Sequence, residues 1–194
     1  MSVWIKYCGF CNSTDYSFAI ALGIDAVGLI CVPDTPRFVS DAELSKLGKM
    51  RRGKAKLVLV FQDADSSFVE QRIDLANPDM LQFHGQESAE FAESFNLPYI
   101  KATRDSSELH LLYPHQKAFA WMIDDPAFTG IQDELPGDRP IIVASGLDPT
   151  NIVERIEQCR PFGVDIARGI QRDDRHKDPL TMIKIEYLVR SQIQ

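Results

Sequence analysis

One pattern repeats along this chain: a short apolar run rich in β-branched residues, a small or polar turn, and a longer amphipathic stretch. Most of the apolar runs are continuous instead of alternating, which is typical of parallel strands covered on both faces. The pattern predicts eight strands, at residues 3–8, 26–32, 55–61, 80–83, 99–101, 119–123, 141–144 and 163–166.

Helix signals fall between these runs. Ser40 and Glu43 have the spacing of a capping box, in which each side chain accepts a hydrogen bond from the other residue's backbone. Asp148 is predicted to cap a helix whose first turn holds Pro149, and Pro179 is predicted to open the last helix.

Eight strand–helix units in 194 residues average about 24 residues, against roughly 30 for an ordinary unit. The order therefore predicts a small (β/α)₈ TIM barrel that forms a single domain over residues 1–194. Residues 124–140 hold three prolines and two glycines, so we expect the sixth helix to be missing or reduced. An open doubly wound sheet is the alternative, but no GxGxxG follows the first strand.

Composition excludes several classes of protein. The net charge of −7 argues against electrostatic binding of nucleic acid, and no apolar run is long enough to span a membrane. Four cysteines are too few for a disulfide scaffold, and no signal peptide is visible. We expect a cytoplasmic protein without nucleic-acid or membrane partners, acting as a monomer or homodimer.

The carboxyl ends of the strands carry the active site in barrels of this kind. In this sequence those ends combine thiol, imidazole, amine and carboxyl groups, which together can serve general acid–base chemistry. Glycines follow the last two strands, where a Cβ would hold an anionic ligand off the backbone. The candidates are Lys6, Cys8, Arg37, Gln82, His84, Lys101, Asp124, Ser145, Gly146, Asp165 and Gly169.

Six strings in order along nearly the whole chain resemble the phosphoribosylanthranilate isomerase family. They are KYCG at 6–9, TPRFVS at 35–40, LQFHG at 81–85, ASGLDPTNI at 144–152, PFGVDIARGI at 161–170 and HKDP at 176–179. The resemblance implies a TIM barrel without a cofactor. It also implies Amadori isomerisation of a phosphorylated small molecule, N-(5-phosphoribosyl)anthranilate, to 1-(o-carboxyphenylamino)-1-deoxyribulose 5-phosphate.

The resemblance also implies roles for individual residues. Cys8 matches the family's base and Asp124 its acid, with Asp125 as an adjacent alternative. Arg37 matches the arginine that holds the anthranilate carboxylate. A thiol suits the base if positive charge lowers its pKa, and Lys6 lies on the same face of the strand. We expect substrate contacts from Lys6, Arg37, Gln82, His84 and Asp165, and phosphate contacts from Ser145, Gly146, Arg168 and Gly169.

The chain departs from the family pattern in the loops after strands 6, 7 and 8. A Gly-Gly is replaced by Ser145-Gly146, and a Ser-Ser-Gly by residues 167–169. These changes leave open a weakly catalytic or repurposed barrel that binds another phosphorylated small molecule. The CxxC formed by Cys8 and Cys11 leaves open a thiol–disulfide oxidoreductase. Without further Cys or His partners, it does not indicate a metal site.

Overall fold

Eight parallel strands close into a barrel in chain order, from β1 beside β2 round to β8 beside β1. This closed parallel barrel confirms the predicted TIM-barrel class. The computed structural model describes residues 3–130 and 139–191. The strands are β1 (Trp4–Cys8), β2 (Ala26–Ile30), β3 (Lys56–Phe61), β4 (Met80–Phe83), β5 (Tyr99–Thr103), β6 (Ala120–Ile123), β7 (Ile141–Val143) and β8 (Gly163–Ile166).

Helices cover the outside of this barrel. The α-helices of the described residues are α1 (Ser13–Ala21), α2 (Asp41–Gly48), α3 (Ser66–Ala76), α4 (Ala89–Glu93), α5 (Ile152–Cys159) and α6 (Pro179–Ser191). Two 3₁₀ helices follow β5 and β8, at Ser106–Leu112 and Arg168–Ile170. No helix among the described residues is long and apolar enough to cross a membrane.

The strands are largely apolar on both faces because each face packs against a buried apolar cluster. One buried cluster lies between the strands and the helices and includes Leu29, Leu59 and Trp121. A second cluster of smaller side chains fills the barrel interior. Its members are Ala26, Val58, Met80, Ile100, Ala102, Ala120, Met122, Ile142 and Ala144.

The predicted helix caps differ in outcome. Ser40 and Glu43 form the expected capping box, with Ser40 N–H donating to the Glu43 carboxylate at 2.8 Å. The helix predicted after Asp148 starts later than expected, since α5 begins at Ile152, and Asn151 at its N-cap makes no capping hydrogen bond through its side chain. The Asp148 carboxylate instead accepts from the N–H of Thr150 at 2.7 Å, which closes a local turn before the helix starts.

The segment between β6 and β7 is described only in part. A turn occupies Pro126 and Ala127 just after β6. Residues 131–138, where the reduced sixth helix is predicted, lie outside the described residues.

Candidate active site

A pocket of about 200 Å³ opens at the carboxyl ends of the strands. Of the predicted candidates, only Lys6 and Lys101 do not line it, and Lys6 lies fully buried beneath its floor. Those lining it are Cys8, Arg37, Gln82, His84, Asp124, Ser145, Gly146, Asp165, Arg168 and Gly169. Strand order alone brings these side chains together, since they come from the ends of β1, β2, β4, β6, β7 and β8 or the loops that follow.

A buried ion pair lies next to Cys8. The Lys6 ammonium donates to the Asp165 carboxylate at 2.9 Å, and Lys6 is completely buried. Burial lowers the pKa of Lys6, but attraction to Asp165 and Cys8, with hydrogen bonds to both, raises it above its ordinary value. Lys6 therefore stays charged at the floor of the pocket.

The thiol beside this pair is harder to ionise than the sequence suggests. Burial raises the pKa of Cys8, and the Asp165 carboxylate raises it further, whereas Lys6 and Lys177 offset this only in part. Lys6 lowers the pKa as expected, but the burial of the thiol, which is the largest influence, outweighs it. In the free protein the thiol is the favoured form of Cys8.

Asp124 lies half-buried on the same pocket. Burial and the nearby Asp165 carboxylate raise its pKa. Charges on Arg104 and Arg168 and a hydrogen bond with Ser145 offset this rise only in part. A carboxyl group that holds its proton to higher pH is suited to act as a general acid.

The neighbouring Asp125 faces a different environment. Its carboxylate accepts from the backbone N–H of Ser106 at 2.9 Å and of Ala127 at 2.8 Å. These hydrogen bonds lower the pKa of Asp125, and the residue does not line the pocket. The geometry therefore separates the two adjacent aspartates, with Asp124 in the pocket and Asp125 in the loop scaffold.

Gln82 and His84 form a polar pair on the pocket wall, joined by a hydrogen bond between the Gln82 amide and the His84 ring. Burial and three nearby cations lower the pKa of His84 to about 3, so its ring is neutral near pH 7. Gln82 Oε1 and His84 Nδ1 are buried without a hydrogen-bond partner. Both residues line the pocket, so each brings a polar atom with unused hydrogen-bonding capacity to its wall.

The two glycines of the predicted phosphate loops differ. Ser145 and Gly146 both have positive φ, at 69° and 63°. A Cβ on Gly146 would meet nothing closer than 4.0 Å, so this backbone is open to a ligand. A Cβ on Gly169 would lie 1.8 Å from the Leu147 carbonyl oxygen. Glycine is therefore required at 169 for the two loops to approach each other, which differs from the expected reason.

Comparison with known proteins identifies the family. A model described as N-(5'phosphoribosyl)anthranilate (PRA) isomerase matches residues 5–187. The N-(5'-phosphoribosyl)anthranilate isomerase of Legionella pneumophila (strain Lens) is 34% identical over 193 residues, covering 92% of each chain. This chain belongs to the phosphoribosylanthranilate isomerase family.

Solved phosphoribosylanthranilate isomerases share the fold. The enzyme of Thermus thermophilus has a TM-score of 0.86 at 24% identity, covering 98% of this chain and 100% of that chain. Another, in complex with reduced 1-(o-carboxyphenylamino)-1-deoxyribulose 5-phosphate, also has a TM-score of 0.86, at 23% identity. It covers 97% of this chain and 99% of that chain. At these identities the likeness supports the barrel architecture.

Arg104 and Gln62 are a hydrogen-bonded pair in the pocket that the sequence did not predict. Arg104 donates to Gln62 Oε1 at 2.8 Å, and both line the pocket. Arg104 was missed because β5 continues to Thr103, two residues past the predicted end. Gln62 directly follows β3, but an amide carries no acid–base signal. Lys101, considered for the site, instead pairs with buried Glu87 at 2.9 Å.

Another residue that was not predicted holds the backbone of Cys8. Lys177 is buried, and its ammonium donates to the carbonyl oxygens of Cys8 at 2.7 Å and Ala167 at 3.1 Å. It thereby ties the end of β1 to the loop after β8. Lys177 belongs to the HKDP string, which the resemblance to the family includes, but the string alone does not indicate which atoms the lysine contacts.

The second cysteine of the CxxC has no place in the pocket. The Cys11 thiol is directed to the carbonyl oxygens of Arg37 at 3.7 Å and Gly9 at 3.9 Å. All four cysteines are buried free thiols. Among residues 3–130 and 139–191, no group of three or more His, Cys, Asp or Glu side chains could hold a metal ion.

Proposed function

We propose that this chain converts N-(5'-phosphoribosyl)anthranilate to 1-(o-carboxyphenylamino)-1-deoxyribulose 5-phosphate, the Amadori step of tryptophan biosynthesis. The observation that carries the proposal is one pocket holding Cys8 and an aspartic acid of raised pKa, Asp124. Arg37 and Arg168, from two different loops, supply positive charge for a substrate with two anionic groups.

The proposed chemistry divides two proton transfers between these residues. Asp124 gives its proton to the ribose ring oxygen as the C1′–oxygen bond breaks, and the anthranilate nitrogen lone pair forms a C=N bond. The Cys8 thiolate then removes the proton from C2′, which gives an enolamine. Tautomerisation of the enolamine yields the ketone. Each group acts on a different substrate atom, so both must face one cavity, as they do here.

Lys6 and Asp165 serve the base in this scheme. The Lys6 ammonium lies against the thiol and stabilises the thiolate when it forms, while Asp165 holds the ammonium in place at 2.9 Å. Gln82 and His84 offer their unpartnered Oε1 and Nδ1 atoms to substrate hydroxyl or carboxylate groups. The neutral His84 ring can donate one hydrogen bond without adding charge.

Phosphate recognition is assigned to the loops after β7 and β8. These loops follow neighbouring strands and bring Ser145, Gly146, Arg168 and Gly169 to the pocket. The open face of Gly146 lets an anion approach the backbone. Arg168 takes the place of a small family residue and adds a charged donor.

Arg168→Ala is expected to raise both the KM and the inhibition constant for inorganic phosphate by about tenfold or more. A hydrogen bond to a charged group contributes about 1.5–3 kcal/mol, which sets this size. Arg172→Ala is the matched control, since Arg172 is exposed and outside the pocket. Equal phosphate inhibition of wild type and Arg168→Ala would remove Arg168 from the phosphate site.

Cys11→Ser is expected to keep kcat and KM within about twofold of wild type, because the Cys11 thiol makes only weak contacts with backbone carbonyls. The measurement is steady-state isomerase kinetics under reducing conditions. Disulfide reduction of insulin that needs both Cys8 and Cys11, without isomerase activity, would support the oxidoreductase alternative.

The proposed function is tested by complementation of a tryptophan auxotroph that lacks the isomerase. Growth without tryptophan is expected from the wild-type chain and not from Asp124→Asn. Soluble expression without growth, together with retained phosphate binding in vitro, would favour the barrel that acts on another phosphorylated molecule.

A further inference from the structure

Gly28 lies in the middle of β2, directly beside the proposed base. It pairs with Cys8 in the register between β1 and β2. Its carbonyl oxygen accepts from the N–H groups of Gly9 at 2.9 Å and Phe10 at 3.2 Å, just past the end of β1. Its backbone has no positive φ. Conformation therefore gives no reason for glycine at this position.

The reason lies in the space above its Cα. A Cβ on Gly28 would lie 2.6 Å from Cys8 Sγ, 3.0 Å from Lys6 Nζ and 3.2 Å from Lys6 Cε. Each of these atoms belongs to a side chain that points inward from β1. No backbone atom is among these nearest neighbours.

We propose that Gly28 is a positioning residue whose missing side chain leaves the space in which the Cys8 thiol and the Lys6 ammonium meet. It carries no side chain that could take part in the reaction and acts through the placement of these two groups. Its effect on turnover rests on the proposed function, whereas its effect on the thiol does not.

The clash predicts what a methyl group does there. Lys6 is held by Asp165 and is completely buried, so its ammonium has little room to move. Cys8 Sγ, the closest atom, must shift from its position over β2 and loses part of its contact with Lys6. A displacement of a catalytic group by about 1 Å can lower the rate by about 10²-fold. The thiolate also loses the cation that partly offsets its burial.

Gly28→Ala is therefore expected to lower kcat by about tenfold or more with KM changed little. Gly163→Ala is the control, because a Cβ there also meets close atoms, 2.8 Å from the Trp4 carbonyl oxygen, but at the opposite end of the barrel. It is expected to lower Tm and to leave kcat near wild type. An unchanged kcat in Gly28→Ala would overturn the proposal.

A second measurement separates positioning from a general loss of stability. In a Cys8→Ser background, Gly28→Ala should cost less than about twofold of the residual rate, since the group it displaces is already gone. A full tenfold cost in that background would mean that Gly28 acts on something other than Cys8.

A third measurement does not need the isomerase reaction. The rate of Cys8 alkylation by iodoacetamide is followed against pH, with the modified residue located by mass spectrometry. Gly28→Ala should shift the Cys8 profile to higher pH, and Gly163→Ala should leave it unchanged. An unshifted Cys8 profile in Gly28→Ala contradicts the inference. A shifted profile in a chain without isomerase activity would contradict the proposed function alone.

Discussion

The Cys8→Ser variant is expected to lose at least about 10²-fold in kcat, because general-base catalysis contributes about this much and a serine hydroxyl, unlike a thiol, does not ionise to supply the base. Serine is close in size to cysteine, so the pocket should keep its shape. Binding of reduced 1-(o-carboxyphenylamino)-1-deoxyribulose 5-phosphate should stay near the wild-type value. Steady-state kinetics and titration calorimetry measure the two quantities.

The dependence of activity on pH provides a second test of Cys8. The base must lose its proton to act, so the active fraction of Cys8 rises with pH as the thiolate forms. Burial raises the pKa of Cys8 and moves this ionisation upward. Cys8→Ser should abolish the dependence on thiolate and leave only the limb set by the acid. Full activity with an unchanged profile in Cys8→Ser would remove Cys8 from the mechanism.

The barrel could be predicted because strands that are buried on both faces have nearly continuous apolar sequences. Each strand lies against the barrel interior on one side and the helices on the other, so most of its residues are apolar. Strand ends then gave most of the pocket, since parallel strands deliver consecutive carboxyl ends to one rim. Where the predicted end of β5 fell short, Arg104 was missed.

The electrostatic state of the pocket was not predictable from spacing. Lys6 and Cys8 share a strand face, which suggested an acidic thiol. Burial of the thiol outweighs the effect of Lys6, and Asp165 adds to it. Asp165 is 159 residues away in sequence from Lys6 and meets it only after the barrel closes β8 onto β1. Gly28 likewise looks like any strand glycine until Cys8 and Lys6 are placed above it.

Asp165 also links the two proposed catalytic groups. Its negative charge raises the pKa of both Cys8 and Asp124. The same carboxylate therefore favours the protonated acid and opposes the ionised base. Asp165 also holds Lys6 in place, and the Lys6 ammonium lowers the pKa of Cys8, so the ion pair limits the opposition of Asp165 to the thiolate. Substrate phosphate and carboxylate bring further negative charge, which Arg37 and Arg168 are placed to balance.

The adjacent aspartates offer the sharpest remaining test, since only one of them faces the pocket. Asp124→Asn is expected to lower kcat by at least about 10²-fold, because an amide cannot give a proton to the ribose ring oxygen. The acid must be protonated, and its protonated fraction falls as pH rises through its ionisation, which the raised pKa of Asp124 delays. In wild type this falling limb offsets the growth of the thiolate fraction. Asp124→Asn should lose this falling limb, so that its residual activity continues to rise with pH until the thiol is ionised.

Asp125→Asn is the matched control for that experiment. Its carboxylate accepts two backbone hydrogen bonds, from Ser106 and Ala127, and an amide oxygen replaces them only in part. The variant should lose about 1–2 kcal/mol of unfolding free energy in denaturant titrations. Its kcat and its falling limb should stay close to wild type, because the group that titrates in the pocket is unchanged. A larger loss of kcat in Asp125→Asn than in Asp124→Asn, without a loss of stability, would transfer the role of the acid to Asp125.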